Sequence, residues 1–194
     1  YICFSADPDS VGTLDRYLTP FYEADIKNGV ITREEAKEYL QELFLMLQAA
    51  THINSQYFTR GAESHFCIGG YLPDGSDGFN ELSELILETY DELEIYNPKI
   101  QLKINTNTPD FILNKAFDMV RRKNASFVFC CEPAMIKAVM GYGATFEEAL
   151  NMDIRGCYET GVRAGEVCST SGYINAAKAV EYVFTNGYDK TVEK

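Results

Sequence analysis

Lys99-Ile100-Gln101-Leu102-Lys103-Ile104-Asn105-Thr106-Asn107-Thr108-Pro109 decides the fold class. Lys99 to Ile104 reads as a strand. Thr108 and Pro109 then read as the N-cap and first residue of a helix, a position where the fixed φ and missing N–H of proline cost nothing. That helix is expected to run to about Arg122, and Ser126 to Cys130 follows as a short apolar strand. Strand–helix–strand order implies a parallel sheet covered by helices, and such sheets are buried on both faces. The edges of a complete sheet are not identifiable, which points to part of a larger whole.

Further elements extend the pattern in both directions. Upstream, Ile31 to Gln48 reads as a helix. Thr32 and Glu35 form a capping box there, and Ala36, Tyr39, Leu40, Leu43 and Leu47 recur at helical spacing. A loop rich in glycine and aspartate spans Gly69 to Gly78, and a helix is expected from about Asn80 to Glu92. Downstream, Pro133 to Met140 reads as helical, and Thr145 with Glu148 makes a second capping box before a short helix. Asp153 to Gly156 reads as a strand leading into Cys157. Tyr173 to Asn186 has an amphipathic helical pattern closed by Gly187. There are no repeats and no low-complexity tract.

The totals bound the function. At 194 residues the chain can bury a core. No apolar run approaches a membrane span, and no signal-peptide pattern follows Tyr1. The formal net charge of −12 argues against a nucleic-acid partner, since phosphate backbones call for clustered Lys and Arg. No membrane partner is expected, and the location is expected to be cytoplasmic. The six cysteines are Cys3, Cys67, Cys130, Cys131, Cys157 and Cys168. They include no C-x-x-C pair, and His52 and His65 are the only histidines, so no metal site is expected.

One string carries chemistry: Arg155-Gly156-Cys157-Tyr158-Glu159-Thr160-Gly161. A thiol and a carboxylate stand two residues apart in a glycine-flanked loop after a strand. In an extended segment they would point to opposite faces. In a tight turn, which the glycines permit, they can converge on one ligand. On spacing alone a buried cysteine beside a surface glutamate is the simpler reading.

The surroundings alter that judgement. The string resembles the G-C-x-E cysteine loop of glycyl-radical eliminases in the pyruvate formate-lyase-like family. Gly12 to Tyr22 resembles the family's G-R-x-D-Q-Y-x-x-P-[FY]-Y stretch. Gly69-Gly70 through Ser83 resembles its G-G-x-D-x-x-G-x-D-x-x-N-E-L-S run. Asn105 to Pro109 resembles a strand-end helix start, and Asn175 to Gly187 resembles N-x-A-K-x-x-E-x-x-x-x-N-G. The matches come in family order and span nearly all of the chain.

The resemblance implies an α/β fold, part of a ten-stranded α/β barrel of two parallel five-stranded halves inside helices. Residues 1–194 are expected to be a single region, an internal part of the catalytic domain, with the C-terminal glycyl-radical domain absent. In the family a glycyl radical takes hydrogen from a cysteine, and the resulting thiyl takes hydrogen from a small-molecule substrate. The resemblance therefore implies Cys157 as the thiyl residue and Glu159 as acid/base in a lyase or dehydratase. No bound cofactor is expected. The radical is installed by an S-adenosylmethionine/iron-sulfur activating enzyme, the expected partner, and the full-length enzyme is expected to be a homodimer. The isolated chain is expected to be inactive.

Ser169 and Tyr173 fall where relatives place substrate contacts. Asp7 stands in Ser5-Ala6-Asp7-Pro8-Asp9, where many eliminases carry a histidine. It reads as a solvated acidic loop or as a carboxylate for a substrate bearing an amine or several hydroxyls. Two features depart from the pattern. Cys130-Cys131 echoes the adjacent cysteines of pyruvate formate-lyase, but the pair closes a strand where the family carries a small polar pair, and packing is the favoured reading. Ser171-Gly172-Tyr173 echoes the radical motif R-V-[SA]-G-Y without its Arg and Val, so the radical glycine is expected beyond Lys194. The alternatives are formate C-acetyltransferase, which lacks a glutamate at the Glu159 position, radical arylacetate decarboxylation, and a catalytically silent binding domain.

Overall fold

The computed structural model describes residues 10–53, 64–122, 126–155, 159–162 and 175–189. Four parallel strands form one sheet in the order β1 (Ser10–Thr13), β2 (His65–Gly69), β3 (Lys99–Ile104) and β4 (Phe127–Cys131). Helices make each crossover. Helices α1 (Leu14–Lys27) and α2 (Arg33–Ile53) join β1 to β2, α3 (Glu81–Leu93) joins β2 to β3, and α4 (Asp110–Arg121) joins β3 to β4. Beyond β4 come α5 (Glu132–Gly141), α6 (Phe146–Leu150), the strands β5 (Met152–Arg155) and β6 (Glu159–Val162), and α7 (Ala176–Thr185).

The expected β3 is found with the same bounds, and both capping boxes are present. Glu35 Oε2 accepts from the Thr32 N–H at 2.7 Å, and Glu148 Oε2 accepts from the Thr145 N–H at 2.8 Å. The α4 helix starts one residue later than expected, with Pro109 at the N-cap. The reading of Tyr173 as a helix start lies outside the described residues, whereas α7 itself opens with Asn175 accepting from Lys178 N–H. Elements β1, α1, β2 and β6 had no counterpart among the expected ones.

The pleat gives the sheet two unlike faces. On one, Phe66, Ile68, Ile100 and Leu102 pack against Phe44, Leu85, Ile86 and Tyr90. Phe44 stacks on Phe66 at 5.3 Å between ring centroids, and Tyr90 meets Phe44 edge-on at 5.8 Å, geometries that suit the aromatic quadrupole. The opposite face presents Thr13, Cys67, Gln101, Lys103 and Cys130. It is covered by a second cluster built from Met135, Ile136, Val139, Leu150, Met152 and Ile154. Polar side chains in these strands are therefore buried, because a hairpin and two short helices lie over them.

Candidate active site

Strands β5 and β6 pair antiparallel, with Met152 opposite Val162, Ile154 opposite Thr160 and Arg155 opposite Glu159. Gly156, Cys157 and Tyr158 fill the interval between the paired ends and, with Asp7, Ser169, Gly172 and Tyr173, lie outside the described residues. Glu159 is the first residue of β6 and half-buried. The sequence reading anticipated β5 and a turn after it. It did not anticipate the returning strand, which makes the G-C-x-E string the end of a hairpin.

A buried polar network sits between this hairpin and the sheet. The Lys103 ammonium, at 0% exposure, donates to the Met152 carbonyl at 2.6 Å and to Thr13 Oγ1 at 3.1 Å. The Thr13 hydroxyl donates to Asp153 Oδ1 at 2.8 Å. The Cys67 thiol donates to Gln101 Oε1 at 3.2 Å and, more weakly, to the Ile154 carbonyl at 3.9 Å. Burial pushes the Cys67 thiol up to about 11 and the Cys130 thiol up to about 12, although the Lys103 charge pulls both down. Both are inert as nucleophiles at neutral pH. Cys130 is buried at the strand end, as the packing reading of that pair expects, whereas Cys131 is exposed and takes no part in that packing.

The same sheet end carries two buried carboxylates. Asp15 Oδ2 accepts from Gly69 N–H at 2.8 Å and from the Ser83 hydroxyl at 2.6 Å. Burial nevertheless raises its pKa to about 6, against the lowering effects of those bonds and of Lys103 and Arg16. Glu132 Oε2 accepts from Tyr71 N–H at 2.7 Å and from the Asn105 amide at 3.3 Å. Gly70, at φ +92°, leaves the room: a Cβ there would stand 2.6 Å from Glu132 Oε1 and 2.9 Å from Lys103 Cδ. Arg16 donates to the Tyr71 carbonyl at 2.7 Å and to the Leu150 carbonyl at 3.2 Å. Thr108 donates to Asp77 Oδ2 at 2.8 Å and Asn107 to the Gly75 carbonyl at 2.7 Å, which latches the glycine-rich loop to the start of α4.

Sequence reasoning missed Thr13, Asp15, Lys103, Glu132 and Asp153. Among the described residues, no cluster of His, Cys, Asp or Glu has the makings of a metal site.

The comparisons with known proteins bear on this geometry. A family model described as pyruvate formate lyase-like matches residues 6–194. The chain belongs to the pyruvate formate lyase-like family. Trans-4-hydroxy-L-proline dehydratase of Clostridioides difficile is 33% identical over 196 residues, covering 97% of this chain and 25% of that protein. The isethionate sulfite-lyase of Bilophila wadsworthia is 29% identical over 92% of this chain and 22% of its own length. The crystal structure of the C. difficile hydroxyproline dehydratase, with its substrate bound, superposes with a TM-score of 0.81 at 32% identity over 95% of this chain and 24% of that one. A glycyl radical enzyme from Archaeoglobus fulgidus gives a TM-score of 0.80 at 31% identity, over 93% of this chain and 24% of that one.

The chain thus spans about a quarter of the length of these relatives. Its parallel sheet and helices are part of the α/β barrel of the glycyl-radical enzymes. The family-like stretches around Asp15, Gly69-Gly70, Ser83 and Asn105 meet in the network just described.

Proposed function

We propose that the parent protein is a glycyl-radical lyase that cleaves a C–O or other C–X bond of a small polar substrate, with Cys157 and Glu159 as its catalytic residues. The observation that carries this is the hairpin. Its strands bracket Cys157, begin the return at Glu159, and lie on a sheet face whose polar groups are buried and paired. Its relatives' names, a dehydratase and a sulfite-lyase, support elimination over acyl transfer.

The family's glycyl radical supplies the initiating step by withdrawing the hydrogen atom of the Cys157 thiol. The sulfur then holds the unpaired electron and takes a hydrogen atom from a substrate carbon next to the leaving group, re-forming S–H. Glu159 accepts the proton of the substrate group on that carbon as the C–X bond breaks, and it delivers the proton to the departing X. The product radical recovers a hydrogen atom from the Cys157 thiol, so atoms and electrons balance over the cycle. A dry site protects such radicals from side reactions. The apolar cluster around Met152 and Ile154 supports that requirement at the hairpin's base.

Glu159→Gln tests the division of labour in the activated full-length protein. Hydrogen abstraction persists, seen as deuterium exchange between solvent and substrate, while turnover falls by roughly 10²–10⁴-fold, the usual cost of losing a general acid/base. An unchanged rate would assign Glu159 a structural role.

A further inference from the structure

We propose that Thr13 and Lys103 are positioning residues that set the seat of the Cys157–Glu159 hairpin. The proposal rests on the lyase reading above, because it concerns how the hairpin reaches the chemistry.

A hairpin of two four-residue strands has little stability of its own. Its position is set by what grips it. Three consecutive residues of β5 are held from three different strands of the sheet. Lys103 on β3 holds the Met152 carbonyl at 2.6 Å, Thr13 at the end of β1 holds the Asp153 carboxylate at 2.8 Å, and Cys67 on β2 approaches the Ile154 carbonyl at 3.9 Å. The Thr13 hydroxyl occupies a relay position, accepting from Lys103 and donating to Asp153. A fully buried ammonium is costly unless well bonded, and an apolar residue of similar size commonly serves stability as well. Its use here is specific: it fixes the height of β5 over the sheet at the backbone level.

The consequence lies four residues away. Strand β5 itself spans about 10 Å between Met152 and Arg155, so a small tilt at its base is magnified toward Arg155, two positions before Cys157 in the sequence. Hydrogen transfer to and from a thiol needs reacting atoms about 3–3.5 Å apart, and a 1 Å misplacement costs about 10²-fold. Thr13 and Lys103 touch no reacting atom in this scheme. They act through the hairpin.

The experiment uses the full-length protein, activated to carry its radical, and needs no substrate. In D₂O the cysteine thiol becomes S–D. Reversible hydrogen exchange with that thiol replaces the glycyl α-hydrogen by deuterium, and the electron paramagnetic resonance doublet collapses to a singlet. Thr13→Val, which keeps the shape and removes the relay, is expected to slow the collapse by about 10–100-fold at unchanged radical yield. Thr13→Ser restores the hydroxyl and the rate, and Lys103→Met slows it at least as much as Thr13→Val.

A wild-type rate in Thr13→Val overturns the proposal. So does a Thr13→Val protein that loses radical yield in step with its exchange rate, because the relay would then hold the fold and not the hairpin. Cys157→Ser run alongside separates the two claims. If it exchanges like wild type, the lyase reading is what fails.

Discussion

Replacing Asp15 by Asn removes one charge from the floor of the site, and its effect on stability has a calculable pH dependence. Asp15 is 1% exposed, and burial raises its pKa from 3.8 to about 6. A raised acid pKa means that the folded state binds the proton more tightly than the unfolded one. Below pH 4 the group is protonated in both states and contributes no difference. As pH rises from about 4 to about 6, the unfolded chain ionises first and gains on the folded one. Two units at about 1.4 kcal/mol each give roughly 3 kcal/mol of stability lost across that window.

Asn keeps an oxygen to accept from Gly69 N–H and the Ser83 hydroxyl. It places its amide nitrogen where Oδ1 has no partner among the described residues, a penalty of about 1–3 kcal/mol that does not vary with pH. The readout is therefore the slope. Urea unfolding of wild type and Asp15→Asn at pH 4, 5, 6 and 7 is expected to show the variant gaining on wild type by about 3 kcal/mol. At a urea dependence of roughly 2 kcal/mol per molar, the relative midpoint shift is on the order of 1–2 M. Subtraction cancels other titrating groups, such as Glu88, held down to about 2 by hydrogen bonds from Arg33 and Lys37. A difference that stays flat with pH would refute the reasoning.

Other consequences are more local. Gly70→Ala is expected to cost about 2–4 kcal/mol, from a side chain forced to φ +92° and from its approach to Glu132 and Lys103; a loss below about 1 kcal/mol in urea unfolding would show that the cradle yields. Brief maleimide treatment of the folded protein, read by peptide mass spectrometry, is expected to modify exposed Cys131 and spare buried Cys67 and Cys130; equal labelling of Cys130 would contradict its burial. Glu88→Gln is expected to cost less than about 1 kcal/mol, and less still in high salt, because its partners Arg33 and Lys37 are partly solvated.

Much of the alternation of strand and helix was legible because its signals are local. Lys99–Ile104, the capping pairs Thr32/Glu35 and Thr145/Glu148, and the Asn175–Gly187 helix each declare themselves within a dozen residues. Strand β2 did not, because His65–Gly69 is buried on both faces and shows no alternation. Helix α1 follows β1 with no intervening residue and carries Pro20 inside it, which obscures both elements. Strand β6 contains a glycine and is defined only by its partner.

Of the proposed catalytic residues, Cys157 and Glu159 could be singled out because a short motif carries them. The groups proposed to seat the β5–β6 hairpin could not. Thr13 and Asp153 are 140 positions apart, and Lys103 and Thr13 are 90 apart. Lys99, Gln101 and Lys103 alternate with Ile100, Leu102 and Ile104, the pattern of a strand with one solvated face. Only the hairpin lying over that face reveals that Gln101 and Lys103 are buried.

The central claim is that Cys157 at the end of this hairpin is the residue through which the radical reaches substrate. Collapse of the glycyl doublet in D₂O, compared between activated wild type and Cys157→Ser, tests it most directly. The account predicts a doublet of undiminished intensity in the variant, since the glycine is activated by a separate enzyme, with no collapse to a singlet and no turnover. Collapse at the wild-type rate, or turnover by the variant, would contradict it.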